Sequence, residues 1–190
     1  MQNNSSNILQ NALLSTAFQK HHHLMVLKVF VTRNDNKLLE RYQNAISKHN
    51  NNILSDDFCD AGFDIFVPDD NLTIPGNVNK VNFGLKCSAK IFYENGGVCQ
   101  NTGFYMYPHS SLSGTGLRLA NSVGIINSGY RGPLIGEFDC LTMNDPIYNN
   151  DLDIYTLTQY CMKKYDRLTQ ICAPGLVPIY VILVDSESEL

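Results

Sequence analysis

Positive charge is in short supply along this chain: 14 lysines and arginines stand against 18 aspartates and glutamates, and the basic residues do not cluster. No net field draws a polyphosphate backbone, which argues against a nucleic-acid binder. Paired cysteines are missing as well. Those at Cys59, Cys87, Cys99, Cys140, Cys161 and Cys172 form no C-x-x-C pair and no zinc-type spacing, and scattered thiols suit a reducing, intracellular setting. No apolar run approaches the length of about 18 residues that a membrane span needs. No basic residue precedes the apolar stretch Ile8 to Phe18, so no signal peptide is expected either. No internal repeat is visible.

What is present reads as one folded domain with an extension. Apolar residues make up 44% and charged residues 17% of 190, an ordinary globular balance in a chain long enough to bury a core. The polar run Gln2 to Ser6 and the tract His21-His22-His23 mark residues 1–23 as a flexible N-terminal arm. The histidines read as a surface tract, because adjacent side chains do not converge on one ion without special backbone geometry. Leu24 to Val31 is a dense run of Val, Leu and Phe that predicts a strand. Leu38, Leu39, Tyr42 and Ile46 then recur at helical spacing, with the helix expected to end near His49, before Asn50 to Asn52. Arg33, Arg41 and Lys48 carry the pattern of a solvated face.

Beyond these residues the pattern turns to β. Val81, Phe83, Leu85, Cys87, Ala89, Ile91 and Tyr93 are all odd-numbered, which puts them on one face of an extended ribbon. Turn residues at Pro75-Gly76, Asn95-Gly96-Gly97, Gly114-Thr115-Gly116 and Asn127-Ser128-Gly129 leave short segments between them, the mark of a barrel or sandwich. Residues 141–165 interrupt as a polar loop with room for a short helix over Tyr155 to Lys164. Val177 to Val184 supplies a last strand, so the domain is expected over 24–185 with a short tail at 186–190.

Four segments bring a family into view: Ala61-Gly62-Phe63-Asp64-Ile65, Pro108-His109-Ser110-Ser111-Leu112-Ser113, Gly124-Ile125-Ile126-Asn127-Ser128-Gly129-Tyr130-Arg131-Gly132, and Arg167-Leu168-Thr169-Gln170. In order and separation they resemble the first four of five motifs of the deoxyuridine triphosphatase (dUTPase) family. Leu119-Ala120-Asn121-Ser122-Val123-Gly124 extends the third. Lys163-Lys164-Tyr165-Asp166-Arg167 resembles the family's Lys-Lys-Gly-Asp-Arg turn with one substitution. The loop at 141–165 is similar to an insertion in some large-virus members.

The resemblance implies a mainly β, jelly-roll-like barrel of the β-clip kind, with the early strand and helix as an extension. It also implies a homotrimer with sites at subunit boundaries, converting dUTP to dUMP and pyrophosphate with Mg2+. Carried over residue by residue, Asp64 would hold the metal's water shell, which suits an ion that keeps most of its waters. His109, Ser110, Ser111 and Gln170 would meet the phosphates. Gly124 and Ile126 would read uracil through their backbone in a hairpin supported by Asn121. Tyr130 would pack on the sugar and exclude a 2′-hydroxyl. Asn127 stands where the family has the water-activating aspartate. An amide orients water but is no base at neutral pH, and general-base help is worth about 10²–10⁴ in rate. His109 replaces an arginine, exchanging a permanently charged fork for an imidazole. No segment resembling the fifth, Gly-rich motif follows Gln170.

Three readings follow from this pattern: a working dUTPase, a catalytically inactive dUTPase-like trimer with a structural, nucleotide-binding or regulatory role, and a dCTP deaminase relying on Glu137. Asp139 is a candidate acid to compensate for Asn127. For a viral member the expected place is the cytoplasm or nucleus of a host cell.

Overall fold

The computed structural model describes residues 2–93, 99–141, 148–149, 154–155 and 159–190. In chain order, α1 (Gln2–His21) leads into β1 (His23–Val31) and α2 (Asn36–Ser55). Then come β2 (Gly62–Ile65), β3 (Asn71–Leu72), β4 (Val78–Asn82), β5 (Leu85–Tyr93), β6 (Cys99–Asn101), β7 (Phe104–Pro108), β8 (Leu117–Leu119), β9 (Gly124–Ile126) and β10 (Ile135–Cys140). The chain closes with β11 (Tyr148–Asn149), β12 (Ile154–Tyr155), β13 (Cys161–Met162), β14 (Thr169–Cys172) and β15 (Ile179–Leu183). The fold is mainly β, as the turn spacing predicts.

One sheet has the order β15-β1-β5-β6, a second β4-β10-β8 and a third β2-β14-β7-β9, with the short pairs β3–β13 and β11–β12 beside them. β1 is the central element. It runs antiparallel to β5 from His23↔Tyr93 to Val31↔Leu85, and parallel to β15 from Met25↔Ile179 to Val29↔Leu183. Met25, Leu27, Val29 and Val31 face the main core with Phe63, Phe83, Phe138 and Ile171, whereas Leu24 and Val26 face a second cluster with Ala17, Ile53 and Tyr180. Burial on both faces explains why this strand is apolar without alternation.

The odd-numbered ribbon is buried as its pattern requires, from Val81 to Ile91. It is two strands rather than one, because Gly84, at φ +68°, turns the chain between them. A Cβ there would stand 2.6 Å from Arg33 Cγ, so only glycine fits both the dihedral and the space.

Three expectations need correction. Residues 2–21 form a helix rather than a loose arm. Leu14, Ala17 and Phe18 pack on the second cluster, and Phe18 meets Phe92 edge to face at 6.2 Å. At the end of this helix Lys20 Nζ donates to Asp56 O at 2.7 Å and the His21 ring contacts Ile53 O at 2.8 Å, tying α1 to α2. Next, α2 runs six residues past His49, because its buried stripe of Leu38, Tyr42, Ile46 and His49 continues to Ile53. Asn50 is no helix breaker here: its amide donates to Val181 O and accepts from Val181 N, completing the edge of β15. Finally, within Tyr155 to Lys164 the described residues form no helix: Cys161 and Met162 pair with Leu72 and Asn71, and a turn begins at Lys164. The turn at Asn95-Gly96-Gly97, and residues 142–147, 150–153 and 156–158 of the loop, lie outside the described residues.

Candidate functional site

The sheet β2-β14-β7-β9 carries the first, second and fourth segments to one place. Along its strands Phe63, Ile171 and Met106 point into the core, so the next row, Asp64, Gln170 and Tyr107, lies on the opposite face in register. Gly62 sits one step away on that outer face. A Cβ on it would come within 2.9 Å of Gln170 Cδ and 3.1 Å of Cys172 Sγ. The missing side chain is what lets Gln170 lie flat and donate through Nε2 to Pro108 O at 3.3 Å.

Asp64 is half-buried between two basic groups. Arg167 Nη1 donates to its Oδ2 at 3.0 Å, and His109 Nε2 lies 3.6 Å from its Oδ1. His109 in turn caps the 3-10 turn Ser110–Gly114: the Ser111 N–H donates to Nδ1 at 3.1 Å, and the Ser111 hydroxyl lies 2.8 Å from the same nitrogen. The Ser111 hydroxyl also donates to Arg167 O at 2.5 Å. Thus the His109 imidazole serves as a local organiser, holding Ser111 and the fourth segment together.

The fourth segment follows a tight turn in which Asp166 Oδ2 accepts from Lys163 N at 2.8 Å. Tyr165, at φ +74°, occupies the left-handed region, uncommon for a residue with a side chain. A Tyr165 N–H bond to Val67 O at 2.7 Å and a Val67 N–H bond to Asp166 O at 2.9 Å hold it there.

The third segment lies at the far edge of the same sheet. β9 pairs with β7, from Phe104↔Ile126 to Met106↔Gly124, so Gly124 and Ile126 belong to an edge strand rather than to a self-contained hairpin. Gly124 packs directly on Met106, where a Cβ would meet Met106 Cβ at 3.2 Å. One margin of β9 has no partner strand among the described residues, leaving backbone donors and acceptors without a strand to pair with. Asn121 is exposed, its carbonyl accepting from Val123 N at 2.6 Å. Asn127 is also exposed and makes no side-chain hydrogen bond among the described residues; its carbonyl accepts from Tyr130 N at 3.0 Å. The Tyr130 ring lies against Gly132, and its hydroxyl donates to Pro133 O at 3.0 Å.

Asp64 and β9 are three strand spacings apart, about 14 Å at the usual interval. Asn127 and Tyr130 therefore do not join Asp64 within one chain, and Asn127, following Ile126 opposite Phe104, lies at the end of β7 away from Pro108 and His109. Glu137 and Asp139 lie in another sheet, on β10, where Glu137 pairs with Lys80 at 2.8 Å. Neither acid is brought to the Asp64 cluster.

A cleft of about 1330 Å³ opens over Asp64, His109, Arg167 and Gln170, and its opposite wall is α2. Lys37, Arg41, Asn44 and Lys48 line it at helical spacing. The sequence gives no sign of this role: a polar stripe beside a buried one looks the same whether it faces solvent or another element. Asp35 fixes the start of the helix. Its carboxylate accepts from Lys37 N and Leu38 N at 3.0 and 3.1 Å and from Lys164 Nζ at 2.7 Å, and the ammonium holds its pKa below the ordinary carboxylate value.

Among the described residues no three His, Cys, Asp or Glu side chains gather as a metal cage. Asp64 is a lone carboxylate in the cleft's floor beside two basic groups. That donor set fits a hydrated magnesium ion arriving with phosphate oxygens, and does not fit a resident ion held by protein alone. No helix among the described residues is long and apolar enough to cross a membrane.

No family model and no curated protein matches the chain. Several solved structures are similar to it. A mutant dUTPase of Staphylococcus bacteriophage 80alpha with dUpNHpp is 20% identical over 67% of this chain and 75% of its own, with a TM-score of 0.44. The dUTPase of Streptococcus mutans is 20% identical over 67% and 83%, TM-score 0.42. A mutant dUTPase from phage phi11 of S. aureus, described for its coordination of a structural Mg(II) ion, is 19% identical over 69% and 85%, TM-score 0.46.

Proposed function

We propose that this chain is a dUTPase-family protein that binds dUTP in a site shared between copies of the chain, most simply a homotrimer. The observation that carries the reading is the meeting of three separated segments, at Asp64, at His109 to Ser111 and at Arg167 to Gln170, over one cleft. The third segment, with exposed Ile125, Asn127 and Tyr130, stands at another edge of the sheet, and in this reading it serves the cleft of a neighbouring copy.

In this reading β9 supplies backbone donors and acceptors to uracil, and the Tyr130 ring packs on the deoxyribose. Ser110 and the second Nε2 proton of Gln170 donate to phosphate oxygens, and Ser111 donates once nucleotide displaces its contacts to His109 and Arg167. Mg2+ entering with the nucleotide would neutralise phosphate charge and polarise the bond to be broken, with Asp64 holding its water shell. Asn127 orients the attacking water, whose proton has no carboxylate to accept it. Binding is therefore expected to be retained and hydrolysis to dUMP and pyrophosphate to be slow.

A second reading, a trimer that binds the nucleotide without turning it over, is favoured by one observation: Asp139, the candidate acid to compensate for Asn127, lies on β10 in a different sheet. Pyrophosphate release from dUTP with Mg2+, run beside UTP and dCTP, separates the two. Selective turnover of dUTP by the native protein establishes the enzyme. No turnover natively, with activity gained in Asn127→Asp, establishes a binding protein that keeps the site. Failure of both proteins to bind or turn over dUTP overturns the proposal.

A further inference from the structure

We infer that α2, which lies outside all four motif segments, supplies the cationic wall for the triphosphate, with Arg41 as its phosphate-binding residue. The inference rests on the dUTP reading for the identity of the ligand. The geometry of the wall stands apart from it.

Arg41 is seated without being neutralised. Its guanidinium carbon lies 4.2 Å from the centroid of the Tyr165 ring and 5.4 Å from that of Phe66. No hydrogen-bond acceptor or carboxylate among the described residues reaches it. Stacking uses the faces of a guanidinium and leaves its in-plane N–H donors open, the geometry that a phosphate accepts in bidentate fashion. The opposite arginine, Arg167, already has Asp64 as its partner.

The wall extends along the helix. Lys37 and Lys48 stand four residues before and seven after Arg41, both in the cleft lining, and neither has an acid within ion-pair distance among the described residues. Glu40 and Asp60 also border the cleft, so the cations exceed the acids there by one: Lys37, Arg41, Lys48 and Arg167 against Glu40, Asp60 and Asp64. A free guanidinium and two free ammonium groups over a floor of Gln170 and His109 suit a multiply charged, extended anion better than a single carboxylate. Three phosphates spanning from the floor to the helix meet this description.

Two contacts hold this wall at a fixed place relative to the floor. Asp35 joins the α2 N-terminus to Lys164, and Arg41 stacks on Tyr165 one residue further on. The exchange of glycine for Tyr165 in the fourth-segment turn thus gives Arg41 its seat. The pair also offsets the arginine missing at position 109, since a permanently charged fork returns from another element.

The test is calorimetric titration of the whole protein with sodium tripolyphosphate in Mg2+ buffer, and separately with dUTP and dTTP, using the native chain, Arg41→Gln and Arg41→Lys. The expected result is tripolyphosphate binding that weakens at least tenfold in Arg41→Gln and is only partly restored in Arg41→Lys, with dUTP following the same order. Lys37→Gln combined with Lys48→Gln, both exposed, gives a second reduction should Arg41→Gln fail to fold. No tripolyphosphate binding by the native protein, or equal affinity in all the variants, overturns the inference. Tripolyphosphate binding through Arg41 with no preference for dUTP over dTTP keeps the cationic wall and removes the dUTP reading.

Discussion

Asp35 caps α2 with one carboxylate oxygen and holds Lys164 with the other, so a single side chain joins the helix start to the turn that leads into Arg167 and Gln170. Two variants separate its roles. Asp35→Ala loses both and is expected to lower the melting temperature by about 2–4 °C. Asp35→Asn keeps the cap and loses the ion pair, and should recover most of that shift. Scanning calorimetry of the pair reads the difference; equal losses in both would assign the whole effect to Lys164.

Tyr165 combines an unfavourable backbone with a useful ring. Replacing it with glycine relieves left-handed strain of roughly 1–2 kcal/mol and forfeits a cation–π contact of about 0.5–1 kcal/mol together with the packing of the ring. Tyr165→Gly should therefore change stability little in either direction while weakening tripolyphosphate binding, because Arg41 loses its seat. A denaturant melt and a binding titration on the same sample show whether the two properties separate.

His49 gives stability a pH dependence. Burial lowers its pKa below the ordinary value of 6.5, opposed in part by the contact between Nε2 and Ile179 O at 2.9 Å. The folded state favours the neutral ring, so the unfolded chain takes up the proton first as pH falls. This contribution is fully present above about 6.5 and declines below it, down to the lowered folded-state pKa. His49→Gln, which can still donate to Ile179 O, should flatten the melting temperature between pH 7 and pH 5, as circular-dichroism melts in steps of half a pH unit would reveal.

Gly62 is expected to matter to the site more than to the fold. Its added Cβ in Gly62→Ala meets the flexible end of Gln170, which can swing away and lose Pro108 O. The melting temperature should fall by only a few degrees, whereas dUTP affinity should drop several-fold. Unchanged affinity would remove Gln170 from the binding role.

Much of the β framework is legible in the sequence, because period-two patterning over Val81 to Ile91 and the apolar run of β1 reflect burial that acts through local side chains. What escapes is non-local. Nothing in Ile179 to Leu183 announces a parallel partnership with the first strand, and Asn50 looks like a helix terminator until Val181 is placed opposite it. The motif segments identify Asp64, His109, Ser111, Arg167 and Gln170, which do meet. They could not reveal Arg41, because a cation stacked between Phe66 and Tyr165 differs from a solvated one only through residues 25 and 124 positions away. Asn121, Gly124, Ile126, Asn127 and Tyr130 form a separate group on and beside β9.

The parallel pairing of β1 with β15 sets a condition on biosynthesis. β1 leaves the ribosome well before β15, yet Met25, Leu27 and Val29 find part of their cover only when Ile179 to Leu183 arrive. Closing so long a loop is slow compared with local pairing. The nascent chain therefore carries an uncovered edge of an apolar strand until β15 has emerged, and the window for aggregation is set by translation rather than by the finished molecule's stability.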